Sequence, residues 1–596
     1  MRTPLALMAT AAIAAACAPA PRTATPVPLP PSTNLSPASP LTAAQQRWVD
    51  STFQSLSLRQ KIGQMIWIFT FGDYASADDR TFAEVKEWIT QAEPGGVTMS
   101  LGSPIEVAAK INAMQRLSKV PMLVASDLEP NLGRLEGGVF NHYNIIEGGA
   151  TVFPSAMAIA ATGREEDARA VGRAIAEEAR AVGIQVNFAP DADVNNNPSN
   201  PVINTRSFGE DPHRVARLVE LFVQGTQSAG VIATAKHFPG HGDTDVDSHV
   251  GLPVVTASRQ RLDTLELIPF RAAIAAGAGM VMTAHIALPA ITGDSSLPAT
   301  LAPTILEGLL RDSLHFTGTT ITDAMSMEGV GKGYDVEQSS VAAVKAGADI
   351  LLKPTDVLRA LNAVQGAVER GEISRARIDS AARRVLELKA RTNIVFQPIA
   401  DLEALREVVG SKAHRDLARD IAQRAVTLLR DSAQLVPLAG PKALVVQYMP
   451  ETELKAGRTF AAAMKAANPR AQVEKFGPNV SDEMLARLGT AAQGADRVVI
   501  ALYVRRIEGE GRTAVPPRIA NWIDSLAKTQ KVVVVTYGNP YLIRQFPSVG
   551  TYMVTYGVNE SLERAAARAL LGEAPITGKA PISLPGFFSK GDGIQR

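Results

Sequence analysis

Between residues 64 and 354 the chain repeats one rhythm, in which a short apolar run is followed by an amphipathic stretch and then by another run. The runs are QMIWIF, GGVTMS, PMLVASD, IQVNFAPDADV, VIATAKHF, AGMVMTAHI, TGTTITDAM and AGADILLKP. Their β-branched and apolar content reads as strand. The stretches between them, such as SPIEVAAKINAMQRLSK and REEDARAVGRAIAEEARAVG, carry apolar residues at helical spacing. Eight strands with helices between them predict an α/β fold, an N-terminal (β/α)8 TIM-like barrel over residues 46–395. The polar residues collect at the C-terminal ends of the runs: Asp127, Asp193, Lys236 with His237, His285 and Asp323. In such barrels that end carries the active site.

A linker and helix follow over 396–425, where HRDLARDIAQRAVTLLR is read as helix as far as residue 430. The pattern then changes. KALVVQY, RVVIALYV, KVVVVTYG and TYMVTYG are continuous apolar strands, as expected where a parallel sheet is covered on both faces. Residues 426–596 are therefore expected to form a smaller αβα sandwich domain.

The first 17 residues, MRTPLALMATAAIAAAC, join one early Arg to a short apolar run and small residues. That run is too short to span a bilayer and fits an export signal. Ala-Ala-Ala-Cys resembles a lipobox, with Ala14 where leucine is usual, and the chain's single cysteine is Cys17. The expectation is lipidation at Cys17 and a membrane anchor, with Ala18 favouring the outer membrane of a periplasmic protein. Residues 18–45, rich in Pro, Ser, Thr and Ala, read as a disordered tether. Lys+Arg 60 against Asp+Glu 59 leaves no net field, so no nucleic-acid partner is implied.

The densest chemistry lies in KHFPGHGDTDVDSH, from Lys236 to His249. His237 and His241 are four apart, the spacing of a helical zinc pair, but Phe-Pro-Gly between them breaks a helix. The segment is read as a loop and no metal site is expected, with Asp243, Thr244 and Asp245 taken as solvated. Asp247 and His249 are two apart, so in extended backbone they share a face. A carboxylate on one ring nitrogen fixes the tautomer and lets the other nitrogen donate or accept a proton. Asp323, at the end of a Thr-rich run, is either a reactive carboxylate or a helix cap.

KHFPGHGDTDVDSH, GIQVNFAPDADV, NTRSFGED and ITDAMSM, in this order, resemble glycoside hydrolase family 3, and specifically its β-N-acetylhexosaminidase branch with a two-domain architecture. The resemblance runs from LSLRQKIGQM to GKAPISLP. It implies Asp323 as nucleophile, His249 as general acid/base and Asp247 as its partner. It implies sugar contacts from Asp127, Arg134, Arg206, Lys236 and His237. After the aspartate at position 127 the family's usual run is Gln-Glu-Gly-Gly, whereas this chain has Leu128, Glu129, Pro130 and Asn131.

The implied activity is a retaining β-N-acetylglucosaminidase without cofactor, its partner a carbohydrate such as a muropeptide or a chitin oligosaccharide. A histidine acid/base also permits phosphorolysis, because neutral imidazole does not repel phosphate as a carboxylate would. In the β-glucosidase branch the acid/base is a glutamate from the second domain, for which Glu508 and Glu510 are the candidates. A non-catalytic cell-wall-binding lipoprotein is the remaining alternative, disfavoured because a complete catalytic set is present. The second domain could brace the barrel, carry a dimer contact or extend the cleft.

Overall fold

A computed structural model of the chain describes residues 35–76, 78–129, 149–438, 442–450, 453, 455–504 and 514–596. The expected lipidation site Cys17, the sugar contact Arg134, and Glu508 and Glu510 lie outside these residues.

All eight predicted barrel strands are present: β1 (Ile66–Phe71), β2 (Gly96–Ser100), β3 (Leu123–Ser126), β4 (Val186–Asn187), β5 (Ile232–Phe238), β6 (Met280–Thr283), β7 (Thr319–Ile321) and β8 (Leu351–Leu352). They pair in parallel in the order β7-β6-β5-β4-β3-β2-β1-β8. A parallel bridge between Ile321 and Ile350 joins the two ends, so the barrel closes. The period of two decides which residues fill it. Trp67, Leu123, Phe188, Ile232, Met280, Ile321 and Leu352 meet inside, while Ile66, Ile68, Val97, Val124 and Val281 face the surrounding helices. Several of those helices start on side-chain caps. Ser103 and Glu106 form a reciprocal capping box on Pro104–Leu117, and Ser374 caps Arg375–Arg391.

Leu35 is buried in the barrel-interior cluster beside residues that begin β1, β3, β5 and β6, so it plugs the N-terminal end of the barrel. Arg391 holds the backbone carbonyls of Pro37 and Ser39, and helix begins at Ala43. The expected tether over 18–45 is therefore ordered from residue 35 onward. Burial of Leu35, worth roughly 2 kcal/mol, acts together with the Arg391 bonds and the packing of Leu41.

The second sheet runs β11-β10-β12-β13-β14-β9. Its strands are β9 (Thr427–Asp431), β10 (Ala443–Tyr448), β11 (Gln472–Phe476), β12 (Arg497–Val504), β13 (Val532–Gly538) and β14 (Thr551–Val554). Two departures from expectation appear. The helix read as far as residue 430 ends at Ala425, and Thr427–Asp431 pairs antiparallel with β14, so the sheet is mixed rather than wholly parallel. Edge strand β11 was missed because its residues are largely polar and half-exposed.

The two sheets share packing. Met157, Ala158 and Ala161, on a helix inserted between β3 and β4, belong to one apolar face of the second sheet. The segment 193–211, which follows β4, is braced by the second domain. Asn195 Nδ2 donates to Tyr541 Oη (2.8 Å), and Glu210 accepts from Ser583 N (2.7 Å) and Ser583 Oγ (2.6 Å). Gly209 sits at φ +144° there, with Pro581 O only 2.5 Å from where a Cβ would stand.

Candidate active site

Every sequence-predicted site residue among those described stands at the C-terminal end of the barrel, or on a loop that leaves it. They form two groups.

The first is a box of buried charges. Lys236 and His237, joined by a cis peptide bond, stand near the end of β5. Lys236 Nζ lies 3.0 Å from Asp127 Oδ1 and also contacts Glu129. Arg206 grips Glu129 through two bonds, Nε to Oε2 at 2.7 Å and Nη2 to Oε1 at 2.9 Å, and lies 3.1 Å from Asp191. Burial alone would raise the Glu129 carboxyl, but the Arg206 and Lys236 charges outweigh it and hold it well below the usual carboxylate range. Burial would lower Lys236, and Glu129, Asp127 and Asp191 outweigh that, keeping it above the usual lysine value.

Asp193 anchors the base of the same box. It accepts from the backbone N–H of His237 and of His241 (2.7 Å to the latter) and pairs with His237 Nδ1 at 2.8 Å. Its own burial and the neighbouring Asp191 push its carboxyl well above the ordinary value. Asp191, Asp193 and His237 bring their ligand atoms within 4.8 Å of one another, as a metal trio would. The Arg206 guanidinium, however, lies against Asp191 and 3.3 Å from His237 Nε2, and backbone amides engage Asp193. An arginine side chain already supplies the cation. Within the box Lys236 is 2% exposed and Asp127 is 39% exposed. Of these two, Asp127 is the one that meets the opening, and Lys236 acts from beneath through its carboxylate partners.

The second group is the dyad and its surroundings. The Asp247 carboxylate is fully buried and lies 2.7 Å from His249 Nδ1, and it also accepts the His249 backbone N–H. The His249 ring keeps 23% exposure. Asp323 follows β7 directly and accepts from the Ala324 N–H at 2.7 Å. Between them stands His285, from the end of β6. Its Nε2 donates to Ala324 O at 3.0 Å, and its Nδ1 lies 2.9 Å from Thr300 Oγ1. Burial lowers this imidazole. The ring bonds the residue after Asp323, and a Cβ at Gly329 would stand 2.9 Å from His285 Cβ and 3.1 Å from Ser248 O, so His285 lies close to both the Asp323 turn and the dyad segment. The loop with the dyad is fastened to the segment after Asp323, since Gly329 N donates to Ser248 O (3.1 Å) and Lys332 Nζ to Val250 O.

The expectation that Thr244 is solvated is corrected. It is buried and sits 2.9 Å from His241 Nδ1. A polar residue in a Gly- and Asp-rich run looks like surface until its partner is known.

The fold and these motifs agree with one family. The glycosyl hydrolase family 3 N-terminal domain matches residues 57–388, and the family 3 C-terminal domain matches residues 426–590. This chain belongs to glycoside hydrolase family 3. It is similar to beta-hexosaminidase A of Pseudoalteromonas piscicida, 30% identical over 86% of this chain and 93% of that one. It is also similar to a beta-N-acetylglucosaminidase/beta-glucosidase of Cellulomonas fimi, 29% identical over 90% of this chain and 95% of that one. Among solved structures it resembles a family 3 beta-N-acetylglucosaminidase from Paenibacillus sp. str. FPU-7, with TM-score 0.78 and 35% identity, covering 89% of this chain and 99% of that one.

Within this family 3 enzyme, the residues to which sequence reasoning gave no role are Glu129, Asp191 and His241, the last weighed only as half of a zinc pair. Glu129 was noted only as part of the departure at 128–131, yet it is the one position of that run that coincides with the usual Gln-Glu-Gly-Gly. Its ion pairs with Lys236 and Arg206 explain why an acidic residue stands there.

Proposed function

We propose that this glycoside hydrolase is an exported, retaining β-N-acetylglucosaminidase that removes terminal β-linked N-acetylglucosamine from cell-wall fragments or chitin oligosaccharides. The observation that carries the reading is the Asp247–His249 pair at 2.7 Å on the barrel face that also holds Asp323. In the first step an Asp323 oxygen attacks the anomeric carbon. The leaving oxygen takes its proton from His249 Nε2, and the buried Asp247 stabilises the imidazolium. In the second step neutral His249 removes a proton from water, which displaces Asp323 and restores the β configuration. Asp127 holds sugar hydroxyls, supported from below by Lys236, Arg206 and His237, and Arg134 is the further sugar contact that the family resemblance implies.

Replacing Asp323 with Asn should lower turnover of an aryl β-N-acetylglucosaminide at least a thousandfold while substrate binding persists. Near wild-type turnover would end the assignment. The name of the Cellulomonas fimi relative supports a second reading, in which β-glucosides are also cleaved. Comparing kcat/KM on the two aryl glycosides separates them, and product analysis with and without phosphate distinguishes hydrolysis from phosphorolysis.

For localisation we propose anchoring through lipidated Cys17. Leu35 enters at the N-terminal end of the barrel, opposite the site, so a tether from there would leave the site facing away from the lipid surface. A Cys17→Ser chain should then move from the detergent phase to the aqueous phase on Triton partitioning.

A further inference from the structure

His241 is buried, lies outside both catalytic groups, and is bonded on every polar atom it has. Its backbone N–H donates to Asp193, and its carbonyl accepts from Asn200 Nδ2 at 2.9 Å and from Thr244 Oγ1 at 3.1 Å. Its ring Nδ1 lies 2.9 Å from Thr244 Oγ1, and its Nε2 lies 3.1 Å from the hydroxyl of Ser248, the residue between Asp247 and His249.

The polarity of this chain of bonds can be worked out. The single hydroxyl proton of Thr244 is committed to the His241 carbonyl, so Thr244 Oγ1 accepts from Nδ1–H. Nε2 is then an acceptor, and the Ser248 hydroxyl donates to it. Burial keeps the ring neutral by lowering it to about 4, and it is this neutrality that makes Nε2 the acceptor. His241 therefore links the Asp193–His237 base of the box, through its backbone N–H, to the middle of the dyad segment, through its ring. Asn200, which also bonds Gly242 O, adds a second tie to this base, on the segment braced by the second domain.

We propose that His241 is the positioning residue of the acid/base segment, holding His249 in register with the sugar through Ser248. This rests on the reading of Asp247 and His249 as the acid/base pair. Without the contact, Ser248 loses its side-chain tie toward the box, while the tie from Gly329 N to Ser248 O and the Lys332 contact to Val250 O hold the segment from the other side. Misplacing the acid slows protonation of the leaving oxygen, which matters only where that oxygen is a poor leaving group.

The test uses the full chain with Ser248→Ala, His241→Leu, His241→Gln and the control His249→Ala. The substrates are a dinitrophenyl β-N-acetylglucosaminide, which needs little acid help, and an N-acetylglucosamine disaccharide, which needs it fully. Ser248→Ala and His241→Leu should lose about five- to tenfold in kcat/KM on the disaccharide and less than about twofold on the dinitrophenyl glycoside. His241→Gln, whose amide oxygen can still accept from Ser248, should recover most of the disaccharide rate. Should His241→Leu fail to fold, Ser248→Ala carries the test alone.

Equal losses on both substrates, or none, with a selective loss in His249→Ala, would overturn the positioning role and leave the acid/base reading standing. A His249→Ala chain with no selective loss would overturn the acid/base reading, and the positioning role with it.

Discussion

Glu129→Gln tests whether the buried charge box is a stabilising unit. The carboxylate accepts two Arg206 bonds at 2.7 and 2.9 Å and contacts Lys236. At an effective dielectric of about 20, one pair near 3 Å is worth about 5 kcal/mol before desolvation, and the cost of burying three ions offsets much of that. Breaking a buried pair costs about 3–5 kcal/mol. Here the cations keep Asp191 at 3.1 Å and Asp127 at 3.0 Å, so the low end, about 3 kcal/mol, applies. With an unfolding entropy of about 2 cal/mol/K per residue over the matched stretch 57–388, this is about 4 °C in the barrel transition, read by calorimetry.

The pH dependence has a definite sign. Glu129 is held below its ordinary 4.5, so its contribution is full above that value and is lost as pH falls toward the folded value. The gap between wild type and Glu129→Gln should be constant from pH 8 to about 5. It should then narrow by about 1.4 kcal/mol per unit of acidification. A gap below 1 °C at neutral pH, or one that widens in acid, would refute the reasoning.

His414 lies between Glu177 (3.2 Å) and Glu178 (2.8 Å); burial opposes its charge, but the two carboxylates raise it to about 9. His414→Asn should therefore cost about 3 kcal/mol below pH 6.5, with the cost fading as pH rises through 9, as melting curves across that range would reveal. A Gly242→Ala side chain would meet Val194 O at 1.8 Å, so this variant should lose more than about 2 kcal/mol of stability and most of its activity; a wild-type melting point would contradict the packing. Tyr541→Phe removes the buried acceptor of Asn195 Nδ2 and should cost about 1 kcal/mol and raise KM, because the braced segment carries Arg206; unchanged KM and melting point would argue against transmission from the second domain.

The barrel was legible because parallel strands buried on both faces leave continuous apolar runs, and all eight runs were found. β9 escaped because Thr427–Asp431 continues a helical pattern whose end is set by pairing with β14, a partner more than a hundred residues away. The dyad was legible because two residues with one between them share a face. Asp323 could not be separated from a helix cap on sequence alone, and the resemblance to family 3 made it the expected nucleophile. The charge box was only partly visible. Arg206 and Glu129 are 77 residues apart and Lys236 and Asp127 are 109 apart, so no local spacing announces either pair.

The arrangement also bears on what the second domain does. Among the described residues it places no charged group in the box or beside the dyad; its side-chain contacts with the segment 193–211 fall on Asn195, Ser199, Asn204, Glu210 and Asp211. Those residues flank Arg206 on one segment, whose Asn200 also grips the carbonyls of His241 and Gly242. One strip of chain thus meets the second domain on one side and the bases of both catalytic groups on the other. Fixing polar groups before substrate arrives spares reorganisation during the reaction, and Asp127 and His249, which the proposed function has meet the sugar, both keep exposure. A second domain that fixes this strip can act on kcat and KM without supplying an atom to the chemistry.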